Sequence, residues 1–318
     1  MKLTLLGTGN PVPLTRRASS GYLVRVNDES IVIDHGPGAH WRLLESGARA
    51  IDVTHVVFSH LHYDHCADFV RLFLNRWDQG AGRVRPLGIY GPTGLKHFIE
   101  RLFGADGAFR LDLTARTNHP ESLEIYRERG GTGARAWPDM DAHELRESDV
   151  IEGNGWRMSF VNIPHHQPYL TSFGVRIEAA GKVLTYSSDV THPFALNERG
   201  DPVYKAFDDP TVAGHYKSLR ALMTGSDLHI QYLHLPNAPA MVGEPKLLPR
   251  RTEGNVADSM HKLVADLAQR TGVKTMVLSH INHILDRPEI RDLVLADMRA
   301  IYSGTLVWGE DLMEFDLH

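Results

Sequence analysis

Four potential metal ligands stand within six residues, in the run His60-Leu61-His62-Tyr63-Asp64-His65. The run follows an apolar stretch, Val56–Phe58, which predicts a buried strand that ends just before it. Residues i and i+2 of an extended segment point the same way, so His60 and His62 can reach one metal ion. If the chain then turns into a helix, Asp64 and His65 point elsewhere and can serve a second ion.

Imidazole and carboxylate groups together suit Zn²⁺, Mn²⁺ or Fe²⁺. The chain has one cysteine, Cys66, so neither a thiolate cluster nor an intrachain disulfide can form. Any metal is therefore held mainly by nitrogen and oxygen. We expect two divalent metal ions, zinc first, with manganese or iron as alternatives, and we expect Cys66 to be a buried small residue.

The elements that must position these ligands follow from the apolar pattern. Strands are predicted at Leu3–Leu6, Gly21–Val26, Ile31–Asp34, Val53–Ser59, Leu87–Tyr90, Arg157–Ile163, Thr171–Ala179, Val183–Ser187, Leu228–Leu233, Thr275–Ser279 and Gly304–Val307. Helices are predicted at Trp41–Ser46, Ala67–Trp77, Gly94–Phe103, Ser259–Arg270 and Glu289–Tyr302. Strands and helices mix throughout, which indicates an α/β or α+β class with layered sheets.

Charge and hydropathy restrict the partners. The 318-residue chain carries a formal net charge of -5, which counts against nucleic acid as the main partner because proteins that grip phosphate usually carry a basic excess. Residues 104–155 hold six Arg, no Lys and eleven Asp plus Glu, so this stretch alone is acidic. No apolar run approaches the roughly 20 residues that span a bilayer. We expect no membrane partner and a cytoplasmic location.

His-x-His-x-Asp-His after a strand resembles the signature of the metallo-β-lactamase-fold hydrolases. The segments Leu6-Gly7-Thr8-Gly9, Ile33–Gly38 and Gly309–Met313 are similar to the branch of that family that contains ribonuclease Z and arylsulfatase-like enzymes. The resemblance implies an α/β fold, a four-layer αββα sandwich. We expect a single domain over residues 1–318, with residues 104–155 as an insertion that serves as a lid or dimer contact, and a possible homodimer.

The resemblance also implies the remaining ligands, each placed after a strand. The third family histidine falls on His166 or His165, and the register before Val175-Arg176 favours His166. The family's bridging aspartate falls on Asp189, although the neighbouring family glycine is Ser188 here. The last histidine falls on His280. The implied site therefore has one metal on His60, His62 and His166, a second on Asp64, His65 and His280, and Asp189 as the bridge.

The resemblance implies a hydrolase that uses a metal-bound hydroxide, with Asp64 and Asp189 as catalytic residues. Asp34 is expected either to orient a ligand histidine or to be a plain turn residue. A general acid is sought among the histidines near motif ends and loops, which are His35, His192, His229, His234, His261 and His283.

Only 22 residues separate His166 from Asp189, too few for the basic arm that ribonuclease Z enzymes usually carry there. We therefore predict a small-molecule ester as partner, an aryl sulfate or phosphodiester, and disfavour nucleic acid. The alternatives are a tRNA 3′-processing endonuclease, a lactone or β-lactam hydrolase, and a non-catalytic metal-binding sensor.

Overall fold

The structure is a computed structural model that describes residues 1–191, 194–196, 202–205, 209–210, 213–233 and 260–318. The chain forms two compact units. The first comprises residues 1–156 and 310–318, and the second comprises residues 157–309. Among the described residues, no helix has the length and apolar character needed to cross a bilayer.

The strands in chain order are β1 Lys2–Gly7, β2 Gly21–Val26, β3 Glu29–His35, β4 His55–Val57, β5 Gly88–Gly91, β6 Ala142–Glu144, β7 Val150–Gly153, β8 Trp156–Asn162, β9 Phe173–Ala179, β10 Lys182–Tyr186, β11 Phe194–Leu196, β12 Pro202–Tyr204, β13 Leu228–Tyr232, β14 Thr275–Ser279, β15 Thr305–Trp308 and β16 Glu314–Asp316. The helices are α1 Ala39–Glu45, α2 Tyr63–Cys66, α3 Phe69–Gly80, α4 Leu95–Phe103, α5 Arg110–Asn118, α6 Pro120–Glu128, α7 Lys217–Met223, α8 Met260–Thr271 and α9 Pro288–Arg299, with 3₁₀ turns at Ala50–Asp52 and Ala213–Tyr216.

The first unit is built on a mixed sheet in the order β16-β1-β2-β3-β4-β5-β6. Strands β3, β4, β5 and β6 run parallel, so the loops that leave β3 and β4 emerge at the same edge. The apolar side of this sheet packs on helices α1, α3 and α4. Phe58, Phe69, Phe73 and Phe103 are central to this core, with ring centroids 4.3–6.2 Å apart.

One residue, Asp68, joins the loops at this edge through both its backbone and its side chain. Its backbone N–H donates to the His35 carbonyl at 3.0 Å, and its carboxylate accepts from the N–H groups of Gly38 and His40. These N–H groups belong to the first turn of α1, where they have no carbonyl partner within the helix. A carboxylate is favoured there because it accepts from these groups and because of the helix dipole. Asp68 therefore fixes the start of α3 against the end of β3.

In the second unit the strands hydrogen-bond in the order β15-β14-β13-β10-β9-β8. Strands β10, β13, β14 and β15 are parallel and β9 is antiparallel to β10. Helices α7, α8 and α9 contribute to the apolar core of this unit. One face of α8 is buried, since Met260, Leu263, Val264 and Leu267 all lie in the core.

The two mixed sheets with their helices confirm the predicted α/β class. Every predicted strand is present within a few residues, and so is every predicted helix. Residues 104–155 are more ordered than the sequence indicated, because they contain α5, α6, β6 and β7. Strand β6 pairs with β5 inside the first sheet, so this stretch is partly integral to the sheet. The single domain over 1–318, the lid or dimer role of 104–155 and the homodimer stay predictions.

Gly36 permits the close approach of two segments at the edge of the first sheet. A Cβ atom at this position would lie 1.9 Å from the backbone oxygen of Asp64. We expect Gly36→Ala to lower the free energy of unfolding by about 2–3 kcal/mol, because backbone cannot yield as a flexible side chain can. Denaturant unfolding followed by circular dichroism measures this change.

Gly214→Ala is the matched control, because a Cβ at Gly214 meets nothing within 4 Å. Its effect should stay within about 0.5 kcal/mol. Equal midpoints for the two variants would contradict the steric role of Gly36.

Candidate metal centre

The predicted ligand run leaves the carboxyl end of β4, next to the end of the parallel strand β3. His60 and His65 are fully buried, Asp64 is 1% exposed, and His62 is half-buried. The run is extended at His62, which precedes the short helix α2. The predicted change from extended chain to helix is therefore present, and it separates His60 and His62 from Asp64 and His65.

Asp34 occupies the end of β3 and is fully buried. Its Oδ1 accepts from the backbone N–H of Ser59 at 2.7 Å, and its Oδ2 accepts from the Ser59 hydroxyl at 2.8 Å. Oδ2 also lies 2.8 Å from Nδ1 of His65. Of the two expectations for Asp34, this contact with a histidine of the ligand run agrees with the orienting role. A carboxylate at this nitrogen places the proton on Nδ1 and leaves the lone pair of His65 on Nε2.

Ser59 sets the tautomer of the next histidine in the same way. Its hydroxyl has one proton, which it donates to Asp34, so it must accept from Nδ1 of His60 at 3.0 Å. The lone pair of His60 therefore also lies on Nε2. Sequence reasoning missed Ser59, although its place between a buried strand and His60 was a usable signal.

The separations within the run suit shared metal ligands. Nε2 of His60 lies 3.1 Å from Nδ1 of His62, and Nε2 of His65 lies 3.4 Å from Oδ2 of Asp64. Two ligands at about 2.0–2.1 Å from a tetrahedral zinc ion are about 3.3 Å apart. Each of these pairs could therefore hold one ion between its two ligand atoms.

In the second unit, the parallel strands β10, β13 and β14 end at one edge, and β9 begins there. Asp189 follows β10 and His280 follows β14. Nε2 of His280 lies 3.3 Å from Oδ2 of Asp189, and both residues are buried. The open ends of parallel strands are the usual place for ligand sites in α/β proteins. The structure thus brings together two of the predicted ligands of this unit.

The structure places His165, rather than the sequence-favoured His166, beside Asp189. His165 is 6% exposed, and its Nε2 lies 3.9 Å from Oδ2 of Asp189, whereas His166 is exposed. The side chain of Gln167 accepts from the His165 N–H and donates to the Ile163 carbonyl, which holds this loop. Counting residues back from β9 did not anticipate this bonding, so His166 was favoured.

The chemistry of the residues that could bind a metal fits a metal ion. The donor set consists of imidazole and carboxylate groups, mostly buried, with two imidazoles oriented through Nδ1 by Asp34 and Ser59. This His/Asp set is compatible with a binuclear metal site and suits zinc. Cys66 is not part of it; its thiol lies 3.2 Å from the His62 carbonyl oxygen, and burial raises its pKa to about 12. The prediction of a buried small Cys66 is confirmed.

The other histidines give no clear general acid. Burial lowers the pKa of His35 to about 3 and that of His229 to about 4. His229 is bonded to Thr185 and Gln231, and Nε2 of His261 lies 3.1 Å from Oδ2 of Asp297. The candidates His192 and His234 lie outside the described residues.

The family model of the metallo-β-lactamase superfamily matches residues 14–224. The chain belongs to this superfamily, which confirms the predicted fold and the prediction of a metal-dependent hydrolase of ester bonds. Over its full length the chain is 27% identical to ribonuclease Z of Mycobacterium sp. (strain KMS), and the alignment covers 96% of that protein.

Two solved structures support the fold. The short form of human tRNase Z is 18% identical with a TM-score of 0.60, and the alignment covers 99% of each chain. Zn²⁺-bound PqqB from Methylobacterium extorquens is 13% identical with a TM-score of 0.59, and the alignment covers 100% of each chain. At these identities the likeness shows the fold alone.

The prediction of a small-molecule ester partner, with nucleic acid disfavoured, is wrong. It is overturned by the similarity to ribonuclease Z along the whole chain. The arylsulfatase-like interpretation receives no support, and the tRNA-processing alternative fits these relatives better. The net charge misled because it sums over the chain and does not locate a basic surface. The lactone or β-lactam and cytoplasmic predictions stay untested, and the non-catalytic sensor alternative disagrees with membership of this hydrolase superfamily.

We expect Asp34→Asn to weaken zinc binding by about 10- to 100-fold, because the amide no longer holds His65 in the tautomer that a metal needs. Equilibrium competition with a chromogenic chelator measures this affinity. Asp311→Asn is the matched control, since Asp311 also accepts several hydrogen bonds in the first unit but contacts none of the ligand-type residues. An unchanged zinc affinity in Asp34→Asn would refute the orienting role.

Proposed function

We propose that this protein is an endonuclease of the ribonuclease Z type that removes 3′ extensions from precursor tRNA. The observation that carries the proposal is the similarity to ribonuclease Z, which extends over 100% of this chain and 96% of the relative. A similarity of that extent includes both units and both sets of ligand-type residues. The superfamily's hydrolytic chemistry and the His/Asp donor set agree with cleavage of a phosphodiester.

The proposed ligand assignment follows the sequence-based one with a single change. His60, His62 and His165 hold one metal, Asp64, His65 and His280 hold the second, and Asp189 is shared. His165 replaces His166 because it is buried and its Nε2 faces the Asp189 carboxylate, while His166 is exposed. The separations of 3.1–3.9 Å support the pairing of ligand atoms inside each unit, namely His60 with His62, Asp64 with His65, and Asp189 with both His165 and His280.

Two metal ions held this way supply Lewis acidity, which activates water near neutral pH and stabilises negative charge on a phosphoryl group. The protein's own residues prepare the site for them. Asp34 and Ser59 keep His65 and His60 in the neutral tautomer with the lone pair on Nε2. Burial of Asp64 and Asp189 excludes water, so their charges act at low dielectric.

Metal binding through histidine nitrogens also makes the proposed activity sensitive to acid. Protonation of a ligand histidine puts a proton where the metal must bind. Asp34 and Ser59 hold the proton of His65 and His60 on Nδ1, which selects the tautomer but does not prevent acid from protonating Nε2. Their role is one of positioning, since neither side chain is itself assigned as a metal ligand.

A matched pair of variants tests the ligand assignment. His165→Ala should lose zinc and reduce cleavage by about 100-fold or more, since even groups that only support a ligand contribute 10- to 100-fold. His166→Ala should retain both within about 3-fold, because an exposed side chain that binds no metal contributes little. Zinc content per chain and single-turnover cleavage provide the two readouts. The reverse pattern would restore His166 as the ligand.

The activity itself is tested with zinc-loaded protein and a precursor tRNA that carries a 3′ extension. We expect one endonucleolytic cut near the 3′ end of the tRNA body, and Asp64→Asn should lower its rate by at least about 100-fold. An unstructured RNA of the same length is the substrate control and should be cleaved far more slowly. Protein that binds zinc fully but leaves the precursor intact would contradict the proposed substrate.

A further inference from the structure

A cavity of about 180 Å³ lies within the first unit, between helix α3, residues 82–87 and residues 126–139. Aromatic side chains form much of its wall, namely Phe73, Trp77, Tyr126 and Trp137. An apolar protein cavity of roughly 150 Å³ is large enough to bind benzene. This cavity therefore has room for one aromatic ring with a small substituent.

Arg76 also lines the cavity and is only 7% exposed. Its Nε donates to the Val53 carbonyl at 2.8 Å and its Nη2 donates to the Arg85 carbonyl at 2.7 Å. In the part of the chain that the structure describes, these neutral carbonyls are its hydrogen-bond partners, and no carboxylate forms an ion pair with it. A buried charge is costly unless an opposite charge compensates it, so the cavity favours an anionic group beside Arg76.

The surrounding charges strengthen this preference. Arg135 lines the same cavity, and its guanidinium stacks over the Trp77 ring at 4.1 Å. It binds the Asp78 carboxylate, which also accepts hydrogen bonds from Arg116 and Arg129. Arg116 is also paired with Asp112, so two carboxylates serve three guanidinium groups, which leaves one positive charge in excess at this wall. The acidic residue that lines the cavity, Asp139, is exposed.

We propose that this cavity binds a small aromatic carboxylate, with its ring against Trp77 and Trp137 and its carboxylate toward Arg76. Such a ligand matches the two properties that the cavity combines, namely aromatic walls and a buried guanidinium without a carboxylate partner. The site lies apart from the residues assigned as metal ligands in this unit. It does not depend on the proposed endonuclease activity.

Benzoate is the probe, and isothermal titration calorimetry of the full-length protein is the measurement. We expect one benzoate per chain. Benzyl alcohol has the ring without the charge, and acetate has the charge without the ring. Each should bind at least about 10-fold more weakly than benzoate. Absence of benzoate binding, or equal affinity for all three compounds, would overturn the proposal.

Substitutions at two exposed alanines test whether benzoate binds in the cavity. Ala136 lines the cavity and Ala134 does not, and both are exposed, so a tryptophan at either position should leave the fold intact. Ala136→Trp should reduce benzoate affinity at least 10-fold by filling the space, while Ala134→Trp should match the wild type. Equal binding by both variants would overturn the assignment. Because binding is read by heat, the result stands whether or not the protein cleaves tRNA.

Discussion

The Asp34 carboxylate accepts hydrogen bonds from the Ser59 N–H, the Ser59 hydroxyl and Nδ1 of His65, all inside the first unit. A buried carboxylate is tolerated only when such donors compensate its lost hydration. Here the same donors belong to the segment that bears the ligand-type histidines. The energetic requirement of Asp34 and the orientation of His60 and His65 are thus met by one set of bonds.

Backbone conformation at the strand ends carries a related cost. Asp34, Ser188 and His280 all adopt left-handed backbone angles, with φ of 55°, 56° and 64°. For a residue with a Cβ this conformation costs roughly 1–2 kcal/mol. The family pattern has glycine where this chain has Ser188, and the left-handed angle explains that preference. Here the Ser188 hydroxyl pairs with that of Ser172 at 3.0 Å, which offsets part of the cost.

The sequence was sufficient to predict most of the strands and the ligand run, because apolar alternation and His-x-His-x-Asp-His are both local patterns. It did not predict the short strands β6, β7, β11, β12 and β16. The ends of β2 and β14 were predicted to the residue. Helices α5 and α6 were missed because their apolar periodicity is weak and few of their side chains are buried. The preference for His166 over His165 rested on residue spacing, whereas the burial of His165 depends on a loop held by the Gln167 side chain, a contact that no spacing rule contains.

Total charge was the least informative quantity, and the first unit shows why. Residues 104–155 carry the acidic excess of the chain, yet three of their arginines converge on the single carboxylate of Asp78. Most of their acidic residues meanwhile occupy exposed positions. Electrostatic attraction depends on where charges lie and how deeply they are buried, and a sum over the sequence discards both. An acidic chain can therefore contain a wall with a local excess of arginine, and its net charge does not exclude an anionic partner.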